Sequence, residues 1–157
     1  SALLVEHLPQ HLGRNVADLG AGWGFLSAHI LTRDTVGAVH LVEAEHIALE
    51  CARRNVGDAR AVFHWADATR WAAPARIDTV VMNPPFHVSR AADPALGQAF
   101  VQSAARLLDP KGHLWMVANR HLPYEQVLHD RFANVVEVAE DARFKLFHAM
   151  RPIRRKS

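Results

Sequence analysis

The stretch Asp18-Leu19-Gly20-Ala21-Gly22-Trp23-Gly24 constrains this chain more than any other. Asn15 to Leu19 reads as a short strand, and three glycines at alternate positions follow it at once. Such a run turns sharply and lets backbone approach a ligand closely. Phe25 to Leu31 then reads as a helix. The spacing G-x-G-x-G is not a phosphate loop, because no Lys follows, and it is not the dinucleotide pattern G-x-G-x-x-G. Asp18, two residues before the first glycine, is poorly placed for a pyrophosphate and well placed for a cationic amine.

The rest of the chain continues that alternation. Strands are predicted over 37–43, 60–65, 77–82 and 113–118, and helices over 1–8, 45–55, 94–108 and 123–131. Residues 66–76, with Pro74, read as a loop, and Asp109-Pro110-Lys111-Gly112 as a turn. Val135 to Ala139 and Phe144 to Met150 are two further strands separated by Glu140-Asp141. Strands interleaved with helices predict an α/β fold with a mostly parallel sheet covered on both faces. The final pair adds an antiparallel last strand, seven strands in all. In such a sheet, ligands bind beyond the carboxyl ends of the strands.

The residues at those ends carry the chemistry. Glu43 closes the second strand, where a carboxylate can take ribose hydroxyls. Asp67 follows the third, where it can accept from an adenine amino group. Three acids and a glycine turn describe a nucleoside with a positive group and no phosphate, and S-adenosylmethionine has that inventory. The plainer alternative is a tight turn, with Glu43 capping the next helix and Asp67 closing an Asx-turn. Asn83-Pro84-Pro85-Phe86 follows the fourth strand. The prolines fix the backbone before any ligand arrives. Asn83 offers a side-chain oxygen and Pro84 a main-chain oxygen, two rigid acceptors for a planar NH2 group, and Phe86 offers a face for a base to stack on.

The 157 residues predict one domain, residues 1–157, of ordinary globular composition, half hydrophobic and 22% charged. No run approaches the ~20 apolar residues of a membrane span. A single cysteine, Cys51, excludes an internal disulfide. No histidine pair shows a metal-ligand spacing, so no metal is expected. The net charge is only +2, yet Arg143, Lys145, Arg151, Arg154, Arg155 and Lys156 form an end with no acid among them. A basic end on a neutral body suits a polyanion, or is simply a solvated tail.

Asp18 to Gly24 together with Asn83-Pro84-Pro85-Phe86 resembles the class I S-adenosylmethionine-dependent methyltransferases of Rossmann-like fold that modify planar amines. His87, the run Val117-Ala118-Asn119-Arg120-His121-Leu122-Pro123-Tyr124 and Arg143-Phe144-Lys145-Leu146-Phe147 narrow the resemblance to the bacterial ribosomal RNA guanine-N2 methyltransferases. The resemblance implies that Asp18 contacts the methionine amino group, and that Gly20, Ala21, Gly22, Trp23 and Gly24 line the cofactor. Glu43 would take the ribose hydroxyls, Asp67 with Ala68 the adenine, and Asn83 would also contact the cofactor. It implies that Asn83, Pro84, Pro85 and Phe86 carry catalysis, with Phe86, His87, Asn119 and Lys145 toward the substrate. Ribosomal RNA or a ribosomal subunit becomes the expected partner and the cytoplasm the expected location. These enzymes usually carry an N-terminal, non-catalytic copy of the fold, so the chain is expected to be the C-terminal catalytic part of a longer protein. Two other readings stay open: a methyltransferase on adenine N6 or protein glutamine, and a non-catalytic domain that binds RNA. Phe86 disfavours the glutamine version, which favours Tyr at that place.

Overall fold

Strand β1 (Asn15–Leu19) is the centre of the molecule, buried on both faces. Its side chains alternate, as a pleated strand requires. Val16 packs with α1 (Ala2–His7), α2 (Phe25–Ile30) and α3 (His46–Asn55) on one face. Ala17 and Leu19 pack with α4 (Pro94–Leu107) and α5 (Glu125–Arg131) on the other. The computed structural model describes residues 2–84 and 94–154.

The remaining strands are β2 (Ala38–Glu43), β3 (Ala61–Trp65), β4 (Ile77–Met82), β5 (Leu108–Asn119), β6 (Phe132–Glu140) and β7 (Phe144–Pro152). They form one sheet in the order β3-β2-β1-β4-β5-β7-β6. The first five are parallel, and β7 runs antiparallel between β5 and β6. This is the Rossmann-like α/β arrangement expected from the sequence. The chain leaves β1 toward one edge and β4 toward the other, so the strand order reverses between them. A crevice at the carboxyl ends of β1 and β4 follows from that reversal.

A loop joins β3 to β4, as the sequence predicts, and it buries Trp71 against the α4 face. Two local readings are revised. The turn at Asp109-Pro110-Lys111-Gly112 lies inside β5 rather than before it. Ile77 pairs with Leu108 and Thr79 with His113, so the intervening residues bulge out of register. Asp109 Oδ1 accepts the Lys111 N–H at 2.9 Å, which gives the bulge its turn chemistry. β6 begins at Phe132, earlier than its apolar core predicts, because β7 pairs with it as far as Pro152.

The basic end is partly structural. Arg154 donates to the carbonyls of Ala105, Arg106 and Leu108, closing the open carbonyl end of α4. At the same end of the sheet, where β1 and β4 begin, Asp78 Oδ2 accepts the backbone N–H groups of Arg14 and Asn15 at 3.0 and 2.9 Å. Gly13, at φ +83°, makes room for it, since a Cβ there would overlap the Asp78 side chain. Two cross-strand histidine pairs, His40–His64 and His113–His148, sit at 2.9 and 2.8 Å. Each is packed on a tryptophan, Trp71 and Trp115 respectively.

Replacing Gly13 by Ala combines left-handed strain with a collision and should cost about 2–4 kcal/mol, read from urea unfolding. Burial pushes all four paired histidines below their ordinary value, and His148, which also faces His113, down to about 4. The unfolded chain therefore takes up protons near 6.5 while the folded chain stays neutral, so stability should fall as pH drops from about 6.5 toward 4. A double His113→Phe, His148→Phe variant should show a shallower loss over that window in thermal melts.

Candidate active site at the strand tips

Asp18 is the penultimate residue of β1 and is only 1% exposed. Its Oδ2 accepts the Ser27 hydroxyl at 2.8 Å, across the start of α2. No cationic side chain pairs with it among the described residues. Burial, reinforced by the Glu43 charge and only partly offset by Ser27, raises its pKa from 3.8 to about 6. A carboxylate held at that cost is complementary to a cation delivered from outside.

The glycine turn is built around it. Gly24 is the N-cap of α2 at φ 95°, and a Cβ there would strike Val56 and Ala52 of the α3 end. Glycine thus lets the loop close on α3, where Asn55 Nδ2 donates to the Trp23 carbonyl at 2.9 Å. Glu43 reaches across from the tip of β2. Its Oε1 accepts the Gly22 N–H at 2.9 Å and its Oε2 the Glu45 N–H at 2.8 Å. One bond to each oxygen fixes the carboxylate in plane and leaves further lone pairs for a neighbouring pair of hydroxyls. Asp67 makes the Asx-turn that the plainer reading expects, with Oδ1 accepting from the Thr69 hydroxyl at 2.7 Å and its N–H at 2.9 Å. Those bonds, the hydroxyl first, hold its pKa below the ordinary value, so it is an anionic acceptor at neutral pH.

Two adjoining cavities join these groups. One, of about 510 Å³, is lined by Gly20, Gly22, Glu43, Asp67, Ala68 and Asn83, among others. The other, of about 210 Å³, is lined by Asp18, Ala21, Trp23 and Phe25 and shares Gly20, Gly22 and Asn83 with the first. Asn83 follows β4 and is exposed at the point where the cavities meet, while the Pro84 ring is buried. A larger hollow, about 860 Å³, lies at the opposite end of the sheet around His113, Trp115 and His148. It contains none of the acids at the strand tips, so volume does not mark the site here. Pro85, Phe86 and His87 lie outside the described residues.

Asn119 and Lys145 stand apart from this crevice. Asn119 Oδ1 is engaged by the His121 N–H at 3.0 Å, in a turn beyond β5. Lys145 binds Glu125 at 3.0 Å and faces Glu137 at 3.8 Å, and these acids raise its pKa. Two residues that the sequence reading passed over support the crevice. Ser27 fixes Asp18, and Ser103, buried on α4, donates to the Ala68 carbonyl at 2.6 Å. Arg106 reinforces the latter by bonding both Trp71 O and Ser103 Oγ. The signal for both serines is a hydroxyl on a helix face that is otherwise apolar. Among the described residues no three His, Cys, Asp or Glu side chains converge as metal ligands, and no helix is long and apolar enough to cross a membrane.

Residues 1–148 match the family described as Methyltransferase small domain. The chain belongs to that family. Two relatives place it further within the methyltransferase small domain proteins. Ribosomal RNA large subunit methyltransferase G of Alcanivorax borkumensis is 34% identical over 154 residues, 94% of this chain and 39% of that protein. Ribosomal RNA small subunit methyltransferase C of Hahella chejuensis is 34% identical over 152 residues, 95% of this chain and 44% of that protein. The chain thus spans about two fifths of the length of these relatives. Among solved structures, the 16S rRNA N2 methyltransferase of T. thermophilus, in complex with AdoMet and guanosine, superposes with a TM-score of 0.77 at 30% identity. That likeness covers 95% of this chain and 42% of the other.

An Asp18→Asn variant should be more stable than the parent at pH 7, by up to about 3 kcal/mol, because the buried charge is removed and the Ser27 bond can persist. The folded pKa lies above the unfolded one, so Asp18 costs stability as pH rises from 3.8 to about 6. Melting curves of the variant should lack that decline.

Proposed function

We propose that residues 1–157 form a methyltransferase domain that uses S-adenosylmethionine to methylate the exocyclic N2 amine of guanine in ribosomal RNA, in the cytoplasm. The observation that carries this reading is the convergence of Asp18, Glu43, Asp67 and Asn83 on one crevice over β1, β2 and β4. The donor set fits the cofactor's parts. Asp18, buried with no cationic side chain paired to it among the described residues, suits the methionine ammonium. The two oxygens of Glu43 suit the ribose hydroxyls, and Asp67, with the backbone at Ala68, suits the adenine edge. Bound there, S-adenosylmethionine supplies an electrophilic methyl group on a sulfonium. The relatives named for rRNA methylation and the guanosine-bound structure support the acceptor class.

The chain's own residues then do three things. Asn83 Oδ1 and the Pro84 carbonyl accept the two N–H bonds of the incoming amine. This holds the nitrogen in place and turns its lone pair, otherwise conjugated into the ring, toward the methyl position. Positioning of this kind can supply ~7–11 kcal/mol of a barrier, and fixed dipoles add to it. The same two acceptors would stabilise the positive charge that grows on nitrogen as its lone pair takes the methyl and the S–C electron pair returns to sulfur, which leaves as a neutral thioether. The amine becomes acidic in that step, so its proton leaves to solvent without a strong base. A guanine in folded RNA must be extruded to reach the crevice.

The buried acid favours this reading over a domain that only binds RNA, since a carboxylate held at a cost in stability suits a cationic ligand. Calorimetry with S-adenosylmethionine should show binding to the wild-type chain. Methyl transfer into each purified ribosomal subunit, followed by nucleoside analysis, should yield N2-methylguanosine. N6-methyladenosine, or transfer only to a glutamine peptide, would replace guanine as the acceptor. Asn83→Ala should retain cofactor affinity within a few-fold and lose at least ~100-fold in turnover.

A further inference from the structure

Trp23 and Phe25 are 56% and 44% exposed, although a folded chain has every reason to bury such rings. They contact each other, with centroids 5.5 Å apart and planes tilted by 50°. Neither ring belongs to the two apolar cores. Both border the cavity that also contains Asp18 and Asn83, the residue proposed above to take the acceptor amine. Their backbone is rigid. Gly24 is wedged against Val56 and Ala52, its N–H bonds Ala21 O at 3.1 Å, and Asn55 holds the Trp23 carbonyl. Next to Asn55 on α3, Arg54 is exposed and makes no hydrogen bond or ion pair among the described residues. By contrast Arg53, its neighbour, is committed to Glu50 and to the Phe63 ring.

We infer that Trp23 and Phe25 form a stacking platform for a base of the RNA strand next to the methylated guanine, with Arg54 contacting the adjoining phosphate. The inference rests on the RNA reading above and extends it to a second contact. A fixed pair of aromatic faces binds a splayed base at little entropic cost, and any base will serve because every base has a π-face. Arg54 supplies the charge complement that distinguishes a nucleotide from an apolar protein segment. A platform beside the entry to the crevice would hold the strand while the target guanine is turned out of its stack.

The test uses two single-stranded oligoribonucleotides of about ten residues, one intact and one lacking the bases on both sides of the central guanine. Phe25→Ala should weaken binding of the intact oligonucleotide about tenfold. The same substitution should barely alter binding of the abasic one, which the wild type itself should bind as weakly as Phe25→Ala binds the intact one. Arg54→Ala should lower the salt dependence by about one released counterion on either RNA. Affinity for S-adenosylmethionine is measured alongside, and the loss toward intact RNA should exceed any loss toward the cofactor at least fivefold. Equal losses on both oligonucleotides, no loss at all, or a matching loss of cofactor affinity would overturn the platform and assign the rings to a protein partner or to the cofactor's methionine arm. Wild-type protein that methylates RNA while Phe25→Ala is indifferent removes the platform alone. Wild-type protein that neither binds nor methylates any RNA removes the guanine reading and the platform together.

Discussion

The structure depends on a carboxylate in the wrong place for stability. Asp18 lies one residue before the end of the central strand, is 1% exposed, and is offset chiefly by Ser27. Everything around it serves to hold that charge near open space without letting water reach it. The glycines bring the chain close over it, α2 begins directly beyond it, and the reversal of strand order leaves the crevice at its side. Asp18 alone could be an accident of burial. With Glu43 oriented by two backbone donors and Asp67 by Thr69, three acids in different settings face two adjoining hollows.

Much of this was legible from the residues in order. β1 and β4 have the bounds that the sequence predicts, because both are short apolar runs buried on two faces and ended by glycine or proline. The strand-tip acids were legible because position after a parallel strand is itself a functional coordinate. What escaped were matters of register and pairing. Asp-Pro-Lys-Gly has the chemistry of a free turn whether or not a neighbouring strand resumes its ladder around it, so the bulge in β5 cannot be read locally. Lys145 looks like a phosphate ligand until α5 and β6 bring Glu125 and Glu137 to it. Arg154 likewise looks like part of a polyanion-binding tail, yet it serves the carbonyls at the end of α4. A basic residue's role is decided by which carbonyls and carboxylates the fold leaves beside it.

The two faces of the sheet divide the labour. The α2 and α3 side carries the glycine turn and Glu43, and hence the methionine and ribose ends of the proposed cofactor site. The α4 side carries the loop of Asp67 and Ala68 and the chain beyond Asn83. The histidine pairs and the Asp78 clamp stabilise regions of the sheet away from the crevice, which leaves the strand tips free to carry costly groups.

The bond from Ser103 to the Ala68 carbonyl has a mechanical meaning. The helix that bears Ser103 is also the one that takes the chain onward from the Asn83-Pro84 corner. The Ala68 turn is therefore pinned to the helix whose Leu96 and Phe100 line the same cavity as Asn83, with Arg106 as a second rivet. One wall of that cavity is thus set by a helix-to-loop tie, so its width is a dimension of the scaffold and not of whatever fills it.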